Sequence, residues 1–519
     1  MKAAMSIIQP FLHPRVVTML FYGFSAGIPI LLIFSSLSLW LREAGIERSA
    51  VTYFSWAALG YSFKFVWAPL VDRLPLPYLT HLLGRRRAWI LFSQLMIMAA
   101  IAWMAFSNPT QGPMSLTYMA LGAVFLGFSS ATQDIVIDAY RIESADTSLQ
   151  ALMSSTYIAG YRIGMIAAGA GALFLAQKLG SEMGAYQYSA WKWTYLIMSL
   201  SMLVGIVTTL CIPEPERNKI QTSELTTQNL VRFACMFAVS ALGFIFCFIW
   251  TDGLADSFKQ NLANMFNNPH LAAFLVELIR LISALAVALG LAKTMVQLGF
   301  VSQKTLDTSY IDPIKDFFNR YHFKGACFLL LLIAFYRISD IVLGVIANVF
   351  YQDMGFSKIE IAAISKTFGL IMTLTGSMLG GLLCVRWGVL RVLLWGAILS
   401  AATNLLFMVL SQVGYAPGML IGVIVADNLS AGLSLAAYIA FLSALTNIRF
   451  TATQYAIFSS IMTLFPKIIG GYSGSMVDAL GYTQFFLITA LMGLPVIFLI
   501  IRADHYVDLS QPEEPKNES

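Results

Sequence analysis

The stretch Phe63–Arg73, FKFVWAPLVDR, followed after ten residues by Gly84–Trp89, GRRRAW, decides the fold. An apolar run closes on an acid, Asp72, and the chain then turns through Arg73, Arg85, Arg86 and Arg87 before it becomes apolar again. That is how a membrane span ends on the side where positive charge collects. Its echo comes at Gly380–Leu393, GGLLCVRWGVLRVL, which keeps the glycine and arginine spacing and lacks the acid. Two such junctions read as the halves of a duplicated chain.

Composition agrees with a chain that lives in a bilayer. Of 519 residues, 58% are hydrophobic and 11% charged, against roughly 25% charged in soluble domains, and the mean hydropathy is +0.74. A soluble enzyme is excluded. The formal charge of +5 is spread over loops with no basic run suited to nucleic acid, so it reports topology. The five cysteines show no CxxC and no metal-ligand spacing, and no Walker loop, HExxH, GxSxG or dinucleotide fingerprint sits in a soluble context. No cofactor, metal or catalytic role is expected, and a transporter without a nucleotide-binding domain must draw on an ion gradient or on its substrate's own.

A span needs about 20 apolar residues. That window places about fourteen, near 16–39, 51–71, 88–106, 116–139, 153–177, 192–212, 229–251, 271–299, 325–349, 359–384, 389–411, 417–445, 454–477 and 482–501. The expected plan is an all-α polytopic membrane protein with 6 + 2 + 6 helices. A six-helix bundle fills 1–212 and an inserted two-helix segment with flanking loops fills 213–324. A second six-helix bundle takes 325–502, and a polar tail takes 503–519. Alternate loops hold Arg85–Arg87, Arg141, Arg217, Lys304, Lys315, Arg320, Arg386, Arg391 and Arg449, which puts that side and both termini in the cytoplasm. Six-helix repeats with a basic loop between the second and third helices of each half are the plan of the major facilitator fold.

Function is then read from charges inside spans, each costly unless it faces a cavity or a partner. On the fourth span Asp134 and Asp138 lie one turn apart on one face. If that face lines a cavity, like charges so close favour uptake of a proton by one of them; alternatively Asp138 is an interfacial acid. Arg162 lies roughly 14 Å into the fifth span by helical rise and needs a carboxylate or an anionic ligand. Tyr157 and Tyr161 beside it either offer a hydroxyl or a face to a sugar, or simply pack. Arg337 and Asp340, three apart, either bridge each other or serve a site. Lys64, Lys366, Asp427 with Asn428, and Lys467 after Pro466 complete the set. All five histidines fall in or beside loops, so proton coupling is assigned to Asp134, Asp138, Asp340 and Asp427. Asp72, Arg73, Arg85 and Arg86 are assigned to gating.

These residues sit in stretches that resemble one known family, the AmpG-type muropeptide permeases of the major facilitator superfamily. The stretches are FKFVWAPLVDR with GRRRAW, SATQDIVIDAY (130–140), GYRIGM (160–165), PIKDFF (313–318), FYRISD (335–340), SKTFGL (365–370), DNLSAG (427–432) and TATQYAIFSS (451–460). The resemblance implies proton-coupled import of 1,6-anhydromuropeptides, sugar-linked cell-wall fragments, across the bacterial inner membrane for cell-wall recycling. It implies as partners the small sugar-peptide, protons and the lipid bilayer, with no nucleic acid, and a monomer. Lys64, Gln133, Tyr157, Tyr161, Arg162, Arg337, Lys366, Asn428 and Lys467 then become the substrate-facing set. Arg337 stands where the family pattern also carries Lys, and Asp427 where it carries Glu, swaps that keep charge and change reach. Related permeases carry siderophores or acetyl-CoA, so another anionic metabolite is the alternative cargo.

Overall fold

The computed structural model describes residues 9–46, 61, 63–145, 147–182, 184–215, 227–266, 269–357, 360–470, 473–503 and 505–507. Among these the chain is helical, with one isolated bridge between Glu182 and Ala185 and no strand. The helices used below are α1 (Pro14–Glu43), α2 (Arg85–Phe106), α3 (Pro113–Ser144), α4 (Thr147–Ile166) and α5 (Tyr188–Cys211). They continue with α6 (Thr227–Trp250), α7 (Pro269–Gln297), α8 (Asp312–Phe335), α9 (Ile338–Asp353) and α10 (Gly369–Trp387). The last are α11 (Val389–Val413), α12 (Pro417–Leu445), α13 (Thr451–Gly470) and α14 (Ser473–Ala503).

Ten helical runs among the described residues are long and apolar enough to cross a membrane. In α6 and α7 the apolar parts are shorter, Val231–Cys247 and Ile282–Gln297. The expected span 51–71 lies largely outside the described residues, which resume at Phe63 with a tight turn, Lys64–Val66, and the short helix Ala68–Arg73. The side chain of Lys366 and most of the tail 503–519 lie outside them as well.

The chain forms two compact units. The smaller comprises Asp72–Leu74 and Gln221–Asp316. There α6 packs on α7, Leu291 lying over Gly243, and Arg73 donates to the Thr308 hydroxyl at 2.9 Å and to its carbonyl. The larger holds the rest, including both six-helix halves. Close helix crossings there depend on small residues, because backbones approach only where no side chain intervenes. A Cβ at Gly160 of α4 would lie 1.9 Å from the Leu20 carbonyl of α1, and one at Gly376 of α10 would lie 2.1 Å from the Leu429 carbonyl of α12.

The halves repeat at one constant spacing. Gly84 and Gly388 lead into α2 and α11, Pro113 and Pro417 open α3 and α12, and Thr147 with Gln150 matches Thr451 with Gln454 at the starts of α4 and α13. One difference from the expected spans matters for the site. The span expected at 325–349 is broken at Tyr336–Arg337, where α8 stops and α9 begins. Arg337 leaves helical geometry (φ −101°, ψ 14°), and Asp340 sits in the first turn of α9, where a helix start favours negative charge. Broken helices whose ends are covered by protein are a means of placing polar groups at membrane depth.

Candidate functional site

The long helix α3 carries the first cluster. Its register puts Asp134, Asp138 and Arg141 on successive turns, and the tight turn at Lys64 brings an ammonium to 3.8 Å from Asp138. Arg141 approaches the other oxygen of Asp138 at 3.3 Å. Asp138 is therefore held between two cations. Asp134 has a different neighbourhood: its carboxylate accepts from the Tyr157 hydroxyl at 3.3 Å, and no cation pairs with it among the described residues. Gln133 is fully buried, its Oε1 accepting from Ser25 at 3.3 Å, while its Nε2 finds no acceptor among them. Such a buried donor is costly unless something else receives it.

Arg141 reaches further than this cluster. Its Nη1 donates to Gln150 at 3.0 Å, to Ser154 at 3.2 Å and, across to the second half, to Ser443 at 2.7 Å. The guanidinium also lies over the Tyr455 ring, 5.3 Å from its centroid. The sequence reading counted Arg141 only as a loop charge, yet it is fully buried and joins the halves.

The second cluster lines a cavity of about 190 Å³ in the C-terminal half. Arg337 and Asp340 meet at 3.8 Å, Asp340 accepts from Ser400, and Asp427 accepts from Thr403 at 3.4 Å. Asn428 is turned by two bonds, donating to the Ile424 carbonyl and accepting from Thr373, both at 3.0 Å. Asn348 and Tyr351, absent from the sequence-derived set, complete the polar lining. Both lie on the turns of α9 that follow Asp340, and a helical projection of that face was the signal that could have found them.

Arg162 belongs with neither carboxylate cluster. Its guanidinium touches only the Met165 sulfur, at 3.9 Å, has no ion-pair partner among the described residues, and lies near enough to Arg337 for the two charges to repel. Tyr161 and Tyr157 lie beside it, their rings 6.2 Å apart. Lys467 is exposed on α13 and makes no ion pair among the described residues.

The residues assigned to gating form a third group. Arg86 is buried against Glu143, its Nε and Nη2 donating at 3.0 and 2.5 Å, with Arg85 at 4.0 Å from the same carboxylate. The backbone N–H groups of Arg86 and Arg87, at the start of α2, donate to Glu214 at 2.8 and 3.0 Å. Burial pushes the Glu214 carboxyl above its usual range, and those two N–H bonds pull the other way. Asp72 is buried, and Arg73 is taken up by Thr308. Glu143 and Glu214 escaped the sequence reading because each sits in a loop or at a helix end, where an acid draws no notice.

The sequence matches the Major Facilitator Superfamily over residues 16–311 and 329–518. A transporter of Rickettsia conorii named AmpG 4 is 31% identical over 500 residues, covering 96% of this chain and 98% of its own. The anhydromuropeptide permease of Escherichia coli K12 is 27% identical over 496 residues, covering 95% of this chain and 80% of its own. Among solved structures, the proton:xylose symporter XylE aligns with a TM-score of 0.55 at 11% identity over 96% of each chain. FucP in an outward conformation gives 0.56 at 13%, over 96% of this chain and 100% of its own. At such identities the likeness is one of fold. With ten membrane-length helices in the described residues and a match to this family along nearly its whole length, the chain belongs to the Major Facilitator Superfamily and, within it, to the AmpG-type transporters, multi-pass proteins of the bacterial inner membrane and not enzymes.

Proposed function

We propose that this protein imports 1,6-anhydromuropeptides from periplasm to cytoplasm by alternating access, driven by protons. The observation that carries the reading is the contrast on one face of α3: Asp138 is fixed by Lys64 and Arg141, while Asp134 meets only the Tyr157 hydroxyl. A proton on Asp134 leaves two cations against one carboxylate, a cluster of net charge about +1 by formal count that attracts an anionic substrate. Losing that proton weakens the attraction. Arg162, without a carboxylate of its own and close to Arg337, is the anchor for a substrate carboxylate, and Tyr157 and Tyr161 offer faces to sugar rings. The basic loops face the cytoplasm, as do both termini. The bond from Arg141 to Ser443 then closes the cytoplasmic end.

Uptake of labelled anhydromuropeptide into proteoliposomes, with and without an inward proton gradient, tests this. We expect Asp134→Asn to abolish accumulation and to leave downhill exchange. Unchanged uphill uptake in that variant overturns the coupling. Activity on an iron-free siderophore or acetyl-CoA, with the muropeptide ignored, overturns the substrate and leaves the transporter.

A further inference from the structure

The cavity behind the broken helix carries a charge pattern that the import reading does not use. Arg337, Asp340 and Asp427 line it together with Asn348, Tyr351 and Asn428. By formal count the three charges sum to minus one. Asp340 is already satisfied, by Arg337 at 3.8 Å and by the Ser400 hydroxyl. Asp427 has a hydroxyl, Thr403 at 3.4 Å, and no cation in contact among the described residues. The surplus acid is therefore Asp427. On the opposite account stands a surplus of base, since Arg337 and Arg162 repel each other and Arg162 has no carboxylate.

A surplus carboxylate and a surplus guanidinium beside one cavity are the complement of a zwitterion. The volume agrees. About 190 Å³ holds several waters but falls short of the roughly 300–1,000 Å³ of pockets that enclose a whole drug-sized ligand. It suits one end of a longer substrate, and an amino-acid terminus fits where a disaccharide does not. We infer that this cavity is a subsite for a zwitterionic amino-acid end of the transported molecule, Asp427 receiving its ammonium and Arg337 with Arg162 its carboxylate. Asn348 and Asn428 flank it with amides that serve either group. The assignment rests on the proposed transport of a peptide-bearing substrate and adds which part of that substrate the C-terminal half reads.

The test is equilibrium binding to the purified full-length protein by calorimetry. The probe is an anhydromuropeptide whose peptide carries a diamino acid presenting an ammonium and a carboxylate on one carbon. Two companions have that ammonium acetylated or that carboxylate amidated. Each modification is expected to weaken binding by about tenfold or more, the scale of one lost charge-assisted bond. In Asp427→Asn the cost of acetylation disappears and the cost of amidation stays. Asp427→Glu keeps both, which guards against a merely misfolded Asn variant. Equal binding of the free and acetylated probes to the unaltered protein overturns the subsite, makes Asp427 a proton carrier instead, and leaves the import reading intact. Failure of every probe to bind overturns both.

Discussion

At the start of α2 the chain turns through Gly84 at φ 88°, ψ 172°, and at the start of α11 through Gly388 at φ 84°, ψ 154°. The corners match and what surrounds them does not. Beyond Gly84 stand Arg86, buried on Glu143, and the N–H groups that hold Glu214. Beyond Gly388 the equivalent of Arg86 is Leu390 and that of Glu143 is Asn447. A second matched pair behaves the same way. Gln150 and Gln454 each accept from a guanidinium, at 3.0 and 3.1 Å. In the first half the donor is Arg141, which also crosses to Ser443; in the second it is Arg320, which stays with Leu445 and its neighbouring rings. The repeated corner thus needs glycine and glutamine, and the charges are additions made to one copy only. That teaches that the fold stands without them and that they serve movement or specificity.

The strongest way to break this comparison is to remove one partner of the buried pair. Arg86→Ala leaves Glu143 uncompensated and is expected to cost about 3–5 kcal/mol, read as a large fall in the melting temperature of the purified protein. The double variant Arg86→Leu with Glu143→Asn, which writes the second half's residues into the first, should recover most of that loss. If the double variant melts no higher than Arg86→Ala, the pair is needed for the fold and the comparison fails. A smaller effect is expected at the glutamines. Arg141→Ala removes a charge-assisted bond between the halves, worth about 1.5–3 kcal/mol, and so should shift the balance between open and closed forms at that end. Spin-label distances across the ends of α3 and α12 would show the shift. Arg320→Ala cuts the equivalent bond within one half and should lower stability with the distances unchanged.

How much of this was legible beforehand follows from where each signal resides. Apolar runs and loop arginines are local, so the helical plan and the duplicated junction could be read from composition and spacing. The acids on α3 were legible too, because a charge inside a span stands out whatever surrounds it. The different states of Asp134 and Asp138 were not, since they depend on Lys64 arriving from a tight turn some seventy positions earlier by rough count, and on the rotamer of Arg141. Arg337 and Asp340 were seen as a bridge, but the break that puts them beside a cavity leaves no mark in a sequence where Phe335–Asp340 contains neither Pro nor Gly. Arg141 was missed because loop arginines are expected on that side, and only contact with Ser443 and Tyr455 distinguishes it. The repeat was half legible: the glycines carry it, and the Gln150–Gln454 correspondence needed the two turns to be laid over each other.

The gentlest sharpening of the comparison uses the two glycines themselves. Both occupy a backbone region that residues with a side chain enter at a cost of about 1–3 kcal/mol, so Gly84→Ala and Gly388→Ala should each lower the melting temperature through that shared strain. Their surroundings then separate them. A Cβ at Gly388 meets nothing within 4 Å, whereas one at Gly84 would lie 2.5 Å from the Glu214 side chain. Glu214 must swing aside and release the two N–H groups it holds at the start of α2, an additional cost on the scale of a lost helix cap, about 1 kcal/mol. Gly84→Ala should therefore melt below Gly388→Ala. Adding Glu214→Ala to both backgrounds should bring the two together, because it removes both the cap and the clash. A gap that survives in the Glu214→Ala background would place the difference in the corner itself and undo the claim that the two turns are equivalent.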